Sequence, residues 1–483
     1  MENVFQGLEP KLLWQYFYEI CQIPRASKKE EKIVNYLLEF GKKHNLETIS
    51  DEVGNVVIRK KATKGYENKP WVALQSHVDM VCEKEADSKH NFDTDPIIPY
   101  IDGEWVKAKG TTLGADDGIG VAAQLALLAS SDIEHGPIEC LFTVDEETGL
   151  TGAFALKSDM LKSRILLNLD SEDEGELFIG CAGGKDTVGT RYFTTEPVPE
   201  GMIALEIVVG GLKGGHSGDD IHKGFGNANK ILGRVIWQIN NDYKIKLSSF
   251  DGGNLRNAIA RDAKCVILIQ PNKENEIVSF INSCNKIIKD ELFVTDPNVY
   301  ISVSKTDIPE QVIDSKTVSK LINLIYAMPH GVFAWSQDIP NFVETSTNLA
   351  SIKIANNAIT ICTSQRSSVE SAKQNIVNMV ASVFNLAGFE YKHSNGYPGW
   401  KPNPQSKILK ITTEQFKKQF GYEPIVRAIH AGLECGLFSE KFENIDMVSY
   451  GPTLRNVHSP DEKLLIPTVE RFWNLTLNIL KNL

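Results

Sequence analysis

Apolar runs of strand length recur along this chain, and several end directly in an acidic residue or a histidine. WVALQ runs into His77 and Asp79, IECLFTV into Glu146 and Glu147, RILLNL into Asp170, and IDMVSYGPTLRNV into His458, while the turn TTLGADDGIG presents Asp116. Strands are predicted at Val56 to Arg59, Trp71 to Gln75, Ile138 to Val144 and Arg164 to Leu169. Two helical periods open the chain, separated by a turn at Pro24 to Ser27, and small residues followed by AAQLALLA predict a tight turn and a buried helix between Gly114 and Ser130. Strands alternating with helices predict an α/β fold, a mostly parallel sheet with helices on both faces. In such sheets ligands bind outside the carboxyl ends of the strands, which is where these acidic and imidazole side chains fall.

From about Lys185 the pattern restarts without acidic strand ends: MIALEIVVGG, a helix near Asn227 to Asn240, the strands KCVILI, NVYISVSK and NAITICTSQR, and the helix ESAKQNIVNMVASVFNLAG. A Pro- and Gly-rich stretch at Pro398 to Pro404 closes this section. Helices near Ser406 to Phe420 and Leu433 to Lys441, the strand Asp446 to Tyr450 and an amphipathic helix from Pro467 follow it. We therefore expect a discontinuous first domain, residues 1–185 and 399–483, and a second α/β domain inserted as residues 186–398. A chain of 483 residues exceeds the usual single core, in keeping with two domains. No internal repeat is visible in the sequence.

Composition narrows the partners. A net charge of −11 argues against nucleic acid or an anionic membrane surface. Eight scattered cysteines without a CxxC pair, and an amino terminus without a signal-peptide core, fit a reducing cytoplasm. No apolar stretch approaches the roughly 20 residues of a membrane span, so a soluble protein is expected.

The strand-end residues suit a pair of divalent cations. Each ion needs about three protein ligands and an open position. Two imidazoles, His77 and His458, and three carboxylates, Asp116, Glu147 and Asp170, supply them if Asp116 bridges. A nitrogen and oxygen set without thiolate suits zinc, with cobalt or manganese as substitutes. Asp79 can take the other ring N–H of His77 and fix its tautomer. Adjacent carboxylates on a turn point in different directions, so Glu147 can bind metal while Glu146 serves as general base for a water whose pKa the cation lowers to about 7. The plain alternatives are a solvated surface turn at Glu146 and Glu147, and a helix N-cap at Asp116 or Asp117.

The segments SHVDM, GTTLGADDGIG, DEETGLTGA, NLDSEDEGELFIGCAGG, GGLKGGHSGDDIHKGFGNANK, AIHAGLECGLF and VHSPDE resemble motifs of the M20 family of metallopeptidases, most closely its aminoacyl-histidine dipeptidase branch, over nearly the whole chain. The resemblance implies a zinc pair on His77, Asp116, Glu147, Asp170 and His458, with Glu146 as base, Asp79 as orienter and a cis peptide after Asp116. It implies that the inserted domain is a ferredoxin-like lid that makes dimer contacts. On that lid His216 matches a histidine that polarises the scissile carbonyl, in dimeric relatives across the subunit interface. Arg366 resembles the arginine that binds substrate carboxylate, as a guanidinium fork can. Asn254, Arg256 and His430 are further substrate-pocket candidates. Arg455, three residues before His458, places a charge near the metal histidine and leaves the side-chain preference open.

The expected function is cytoplasmic hydrolysis of unblocked dipeptides, Xaa-His and β-alanyl-histidine among them, by a homodimer. The rivals are another M20 amide hydrolase, such as an N-acyl amino acid deacylase or a tripeptidase, and a non-catalytic dimeric binding protein.

Overall fold

The computed structural model describes residues 3–483. The chain forms two compact units: one runs to Gly180 and resumes over residues 400–428 and 433–483, and the other holds residues 181–399 and 429–432. The short excursion at 429–432 has no counterpart in the hydropathy pattern, because four residues are too few to change it.

The first unit is built on an eight-stranded sheet in the order Glu47–Ser50, Val56–Lys60, Ile138–Thr143, Val72–His77, Ile165–Asn168, Asp446–Ser449, Glu176–Cys181, Ile425–Ile429. Its centre, from Ile138–Thr143 to Asp446–Ser449, is parallel. Antiparallel pairs flank it on both sides. Val72–His77 and Ile138–Thr143 are buried at every position, so neither shows the in-and-out alternation of a half-solvated strand. The helix Ala115–Ala129 is almost wholly buried, and its Gly and Ala residues permit close approach to the sheet.

Four carboxyl ends of the parallel strands thus lie side by side. His77 closes its strand, Glu146 follows Thr143 by three residues, and Asp170 follows Asn168 by two. His458 arrives differently: it lies between the paired strands Leu454–Arg455 and Lys463–Leu465 of a small four-stranded sheet, with a left-handed φ of 60°.

The second unit contains a nine-stranded antiparallel sheet. Ile203–Gly210, helix Ala228–Tyr243, Lys246–Gly252, Ala263–Ile269, helix Glu274–Glu291 and Tyr300–Thr306 form a βαββαβ half with strand order 4-1-3-2, the ferredoxin-like arrangement. Gly183–Tyr192, helix Ser315–Ala327, Val343–Ala355, Ala358–Ser367, helix Glu370–Ala387 and Glu390–His393 form a second half in the same order. The halves join edge to edge where Asp251 pairs with Lys353 and Gly252 with Ile352. This topological repeat corrects the sequence reading, which found none. One half is nested between the first strand and first helix of the other, so no linear period exists for a sequence comparison to find.

Candidate metal centre and active site

Burial forces the strand-end side chains of the first unit to find partners among themselves. His77 is 1% exposed, and its Nε2 lies 3.2 Å from Asp116 Oδ1 and 3.2 Å from Asp170 Oδ1. His458 Nε2 lies 3.2 Å from Asp116 Oδ2 and 3.1 Å from Glu147 Oε2. Asp116 therefore turns one oxygen toward each histidine. An imidazole nitrogen carries at most one hydrogen, so it cannot satisfy two carboxylate oxygens at once. A cation can. Ligands about 2.0 Å from a tetrahedral zinc stand about 3.3 Å apart, close to the spacings between these donor atoms. His77, Asp116 and Asp170 could hold one ion, and Asp116, Glu147 and His458 another, with Asp116 shared. The donor set fits the cations that the resemblance implies.

The electrostatics of these side chains agree. Burial would lift the Asp116 carboxyl, but hydrogen bonds from His458 and His77 outweigh it and hold the group below the usual carboxylate range. Asp170 is lifted to about 6, first by burial and then by neighbouring carboxylates, against the pull of His77. His458 is pushed up to about 11 by its hydrogen bonds to Asp116 and Glu147. The cage demands positive charge.

Asp79 is fully buried and connects the cage to the Glu146 turn. Its Oδ1 lies 3.4 Å from His77 Nδ1 and accepts the Glu146 N–H at 3.0 Å, while Oδ2 accepts the Glu147 N–H at 3.2 Å and the Ser27 hydroxyl at 2.8 Å. Burial raises the Glu146 carboxyl well above its ordinary value; His77 opposes this and the carboxylates of Asp170, Glu434 and Glu147 reinforce it. A carboxyl raised in this way holds a proton more readily than a solvated one. The peptide between Asp116 and Asp117 is cis. Of the two aspartates it is Asp117 that caps the helix, accepting the Gly120 N–H at 3.2 Å.

Several residues around this centre were not singled out from the sequence. Glu462 is 2% exposed and accepts the N–H groups of Leu113, Gly114 and Ala115 at 2.7, 2.9 and 2.8 Å. Arg25 donates to the carbonyls of Val78 and Asp79 at 2.9 and 2.8 Å, and to that of Gly114, whose φ of 68° makes the turn into Asp116. Glu434 is buried beneath the strand ends. Arg455 pairs with Asp173 at 2.7 Å, so its charge is answered locally.

In the second unit His216, Arg366 and His430 share the field of Asp219. Burial opposes ionisation of Asp219, yet His216, Arg366 and His430 together hold it below its ordinary value. His216 Nδ1 lies 3.4 Å from Asp219 Oδ2 and accepts the Asp219 N–H at 3.2 Å. Arg366 is 7% exposed, with Nη1 3.1 Å from the Tyr397 hydroxyl and Nε unpartnered. His430 Nε2 lies 2.7 Å from Ser346 Oγ. Asn254 and His216 line one cavity of about 740 Å³, where Asn254 accepts from Lys353 at 2.9 Å. Arg256 stands apart, 69% exposed and paired with Asp186 at 2.8 Å.

Residues 73–482 match the model of peptidase family M20/M25/M40. The chain is 42% identical, over 99% of its length and 98% of the relative's, to the cytosol non-specific dipeptidase of Escherichia coli (strain K12). A crystal structure of aminoacylhistidine dipeptidase from Vibrio alginolyticus matches with a TM-score of 0.94 and 44% identity, covering 99% of this chain and 98% of that one. Aminopeptidase PepT from Bacillus cereus ATCC 10987, at 16% identity and a TM-score of 0.62 over 98% of both chains, shares the fold. Relatives match this chain almost end to end, and the chain belongs to peptidase family M20/M25/M40.

Proposed function

We propose that this protein is a cytoplasmic, metal-dependent dipeptidase that hydrolyses unblocked dipeptides, Xaa-His and β-alanyl-histidine among them, with a zinc pair for which cobalt or manganese can substitute. The observation that carries the reading is the division of Asp116, one oxygen toward His77 and the other toward His458. The names of the relatives, a dipeptidase and an aminoacylhistidine dipeptidase, support the substrate class. Cytosol in one of those names supports the compartment. Among the described residues no helix is long and apolar enough to cross a membrane.

His77, Asp116, Glu147, Asp170 and His458 hold the cations, which when bound polarise the attacked carbonyl and make water acidic enough to react at neutral pH. Glu146 takes the proton of the attacking water and returns it to the leaving amine. Asp79 keeps His77 in one tautomer and anchors the Glu146 turn through two backbone N–H groups. The second unit acts as lid and dimerisation domain. Its His216 donates to the carbonyl oxygen and Arg366 takes the substrate carboxylate, with Asn254, Arg256 and His430 as further substrate contacts.

The homodimer reading rests on the unpaired edge strand Tyr300–Thr306, a surface for a second copy. The duplicated half-sheets favour a second reading, in which one chain supplies by itself what two lids would supply together. A substrate panel tests the reaction. β-Alanyl-histidine and other free dipeptides are expected to turn over faster than acetylated amino acids or tripeptides; the reverse order would assign the chain to a different M20 activity.

A further inference from the structure

Beneath the ligand cage of the first unit lies a buried polar layer. Gln75, two residues before His77, and Asn168, two before Asp170, are cross-strand partners in the parallel register. Side chains two apart on a strand share a face, so Gln75 underlies His77, and Asn168 is the last strand residue before the segment that carries Asp170. Asn168 Nδ2 donates to Gln75 Oε1 at 2.6 Å. Gln75 Nε2 donates to Glu434 Oε2 at 2.6 Å and to Thr143 Oγ1 at 3.1 Å. The Thr143 hydroxyl, three residues before Glu146, donates to the same Glu434 oxygen at 2.8 Å. None of the four residues is more than 1% exposed.

Glu434 is the only member of this layer from outside the three strands: it opens the helix Glu434–Lys441. A carboxyl there is costly, since burial pushes it up to about 8, against the pull of His77 and the Thr143 hydroxyl, and its Oε1 is buried without a partner. An apolar residue would remove that cost but take away the acceptor that Gln75 and Thr143 share, leaving the Gln75 amide only Thr143 Oγ1 at 3.1 Å and the Thr143 hydroxyl only the Ser76 carbonyl at 3.5 Å. The backbone ladder would keep the strands in register, but the side chains at their ends would lose the buried acceptor that ties Gln75 and Thr143 together.

We propose that Glu434 is a positioning residue, which by accepting from Gln75 and Thr143 locks the strand ends carrying His77, Asp170 and the Glu146 turn into the spacing that a pair of divalent cations requires. The proposal rests on the metal-centre reading of the site above. Outer-shell partners of metal ligands typically change affinity about 10- to 100-fold when removed.

The test is zinc affinity, measured by competition with a chelator, in the parent protein and in Glu434→Ala, Glu434→Gln and Thr143→Val, alongside thermal melts of each metal-free protein. Glu434→Ala is expected to bind zinc about 10- to 100-fold more weakly. Glu434→Gln keeps an oxygen for Gln75 and Thr143 and is expected to restore most of the loss. Parent-like zinc affinity in Glu434→Ala, with or without a lower melting temperature, overturns the proposal, since a purely structural residue moves only the melt. If Glu434→Ala does not fold, Thr143→Val decides: it is expected to weaken zinc binding several-fold, and unchanged affinity overturns the proposal. A parent protein that binds no divalent cation overturns the metal-centre reading itself, and the proposal with it.

Discussion

The carboxylate of Glu462 accepts the backbone N–H of Asp116 at 3.4 Å across 346 positions of sequence, after taking those of the three residues before it. Glu462 lies four residues beyond His458, so one carboxylate fixes the loops that carry two of the proposed ligands. In Glu462→Gln an amide NH2 must face backbone donors on one side of this cradle. Losing charge-assisted bonds in a buried place costs about 1.5–3 kcal/mol. Denaturant unfolding of the metal-free variant is expected to show a loss of that size, with weaker zinc binding. A variant as stable as the parent would mean that the cradle does not hold the turn.

Glu146 and Glu147 are adjacent but stand in different surroundings. Glu147 Oε2 sits 3.1 Å from His458 Nε2 in the cage, whereas the Glu146 carboxyl is raised by burial. Glu146→Gln is therefore expected to keep both cations and lose several orders of magnitude in turnover, as removal of a general base does. Glu147→Gln is expected to lose metal. Metal analysis and kinetics on the two variants check this, and equal metal loss in both would show the roles to be misassigned.

His430 gives the second unit a pH dependence. Burial, and then the nearby Arg366 charge, lower its pKa from 6.5 to about 3, against the attraction of Asp219; His222 lowers it slightly further. In the unfolded chain the ring protonates below about 6.5, while in the folded protein it stays neutral until about 3. Its contribution is thus complete above 6.5 and is lost as pH falls toward 3. Between pH 7.5 and pH 5 this amounts to about 2 kcal/mol. Unfolding of the parent and of His430→Gln at both pH values should show the stability gap shrinking by about that amount at pH 5. A gap that does not change with pH would contradict the buried neutral imidazole.

Mixing inactive His216→Ala with inactive Glu146→Gln protein separates the two proposed readings of the second unit. Where His216 serves the partner's site, exchange creates one site free of both lesions, and part of the activity returns. No recovery after verified exchange would mean that each chain uses its own histidine, or none.

What the sequence reveals follows from the range of the interactions involved. His77, Glu147 and Asp170 are legible because each ends or closely follows an apolar strand run, and Asp116 because it sits in a Gly-rich turn; the structure brings each of these and His458 within 3.2 Å of at least one other. Glu462 and Arg25 are not legible in the sequence because they act on backbone groups, which carry no residue identity. Glu434 and Asp219 lie inside the motifs HAGLECG and GGHSGDD, but an acid after a Gly-rich turn is ordinarily solvated. Arg256 was selected from its motif, yet it is mostly exposed and occupied by Asp186. The doubled ferredoxin-like unit escaped because nesting hides a repeat whose only common signal is strand order.

The most direct test of the dinuclear centre is a zinc titration of chelator-stripped protein, followed by both metal content and β-alanyl-histidine hydrolysis. The arrangement around Asp116 predicts no activity in the stripped protein, tight binding of two equivalents per chain, and recovery with zinc, cobalt or manganese. Full hydrolysis by metal-free protein, or saturation at a single equivalent with full activity, would contradict it.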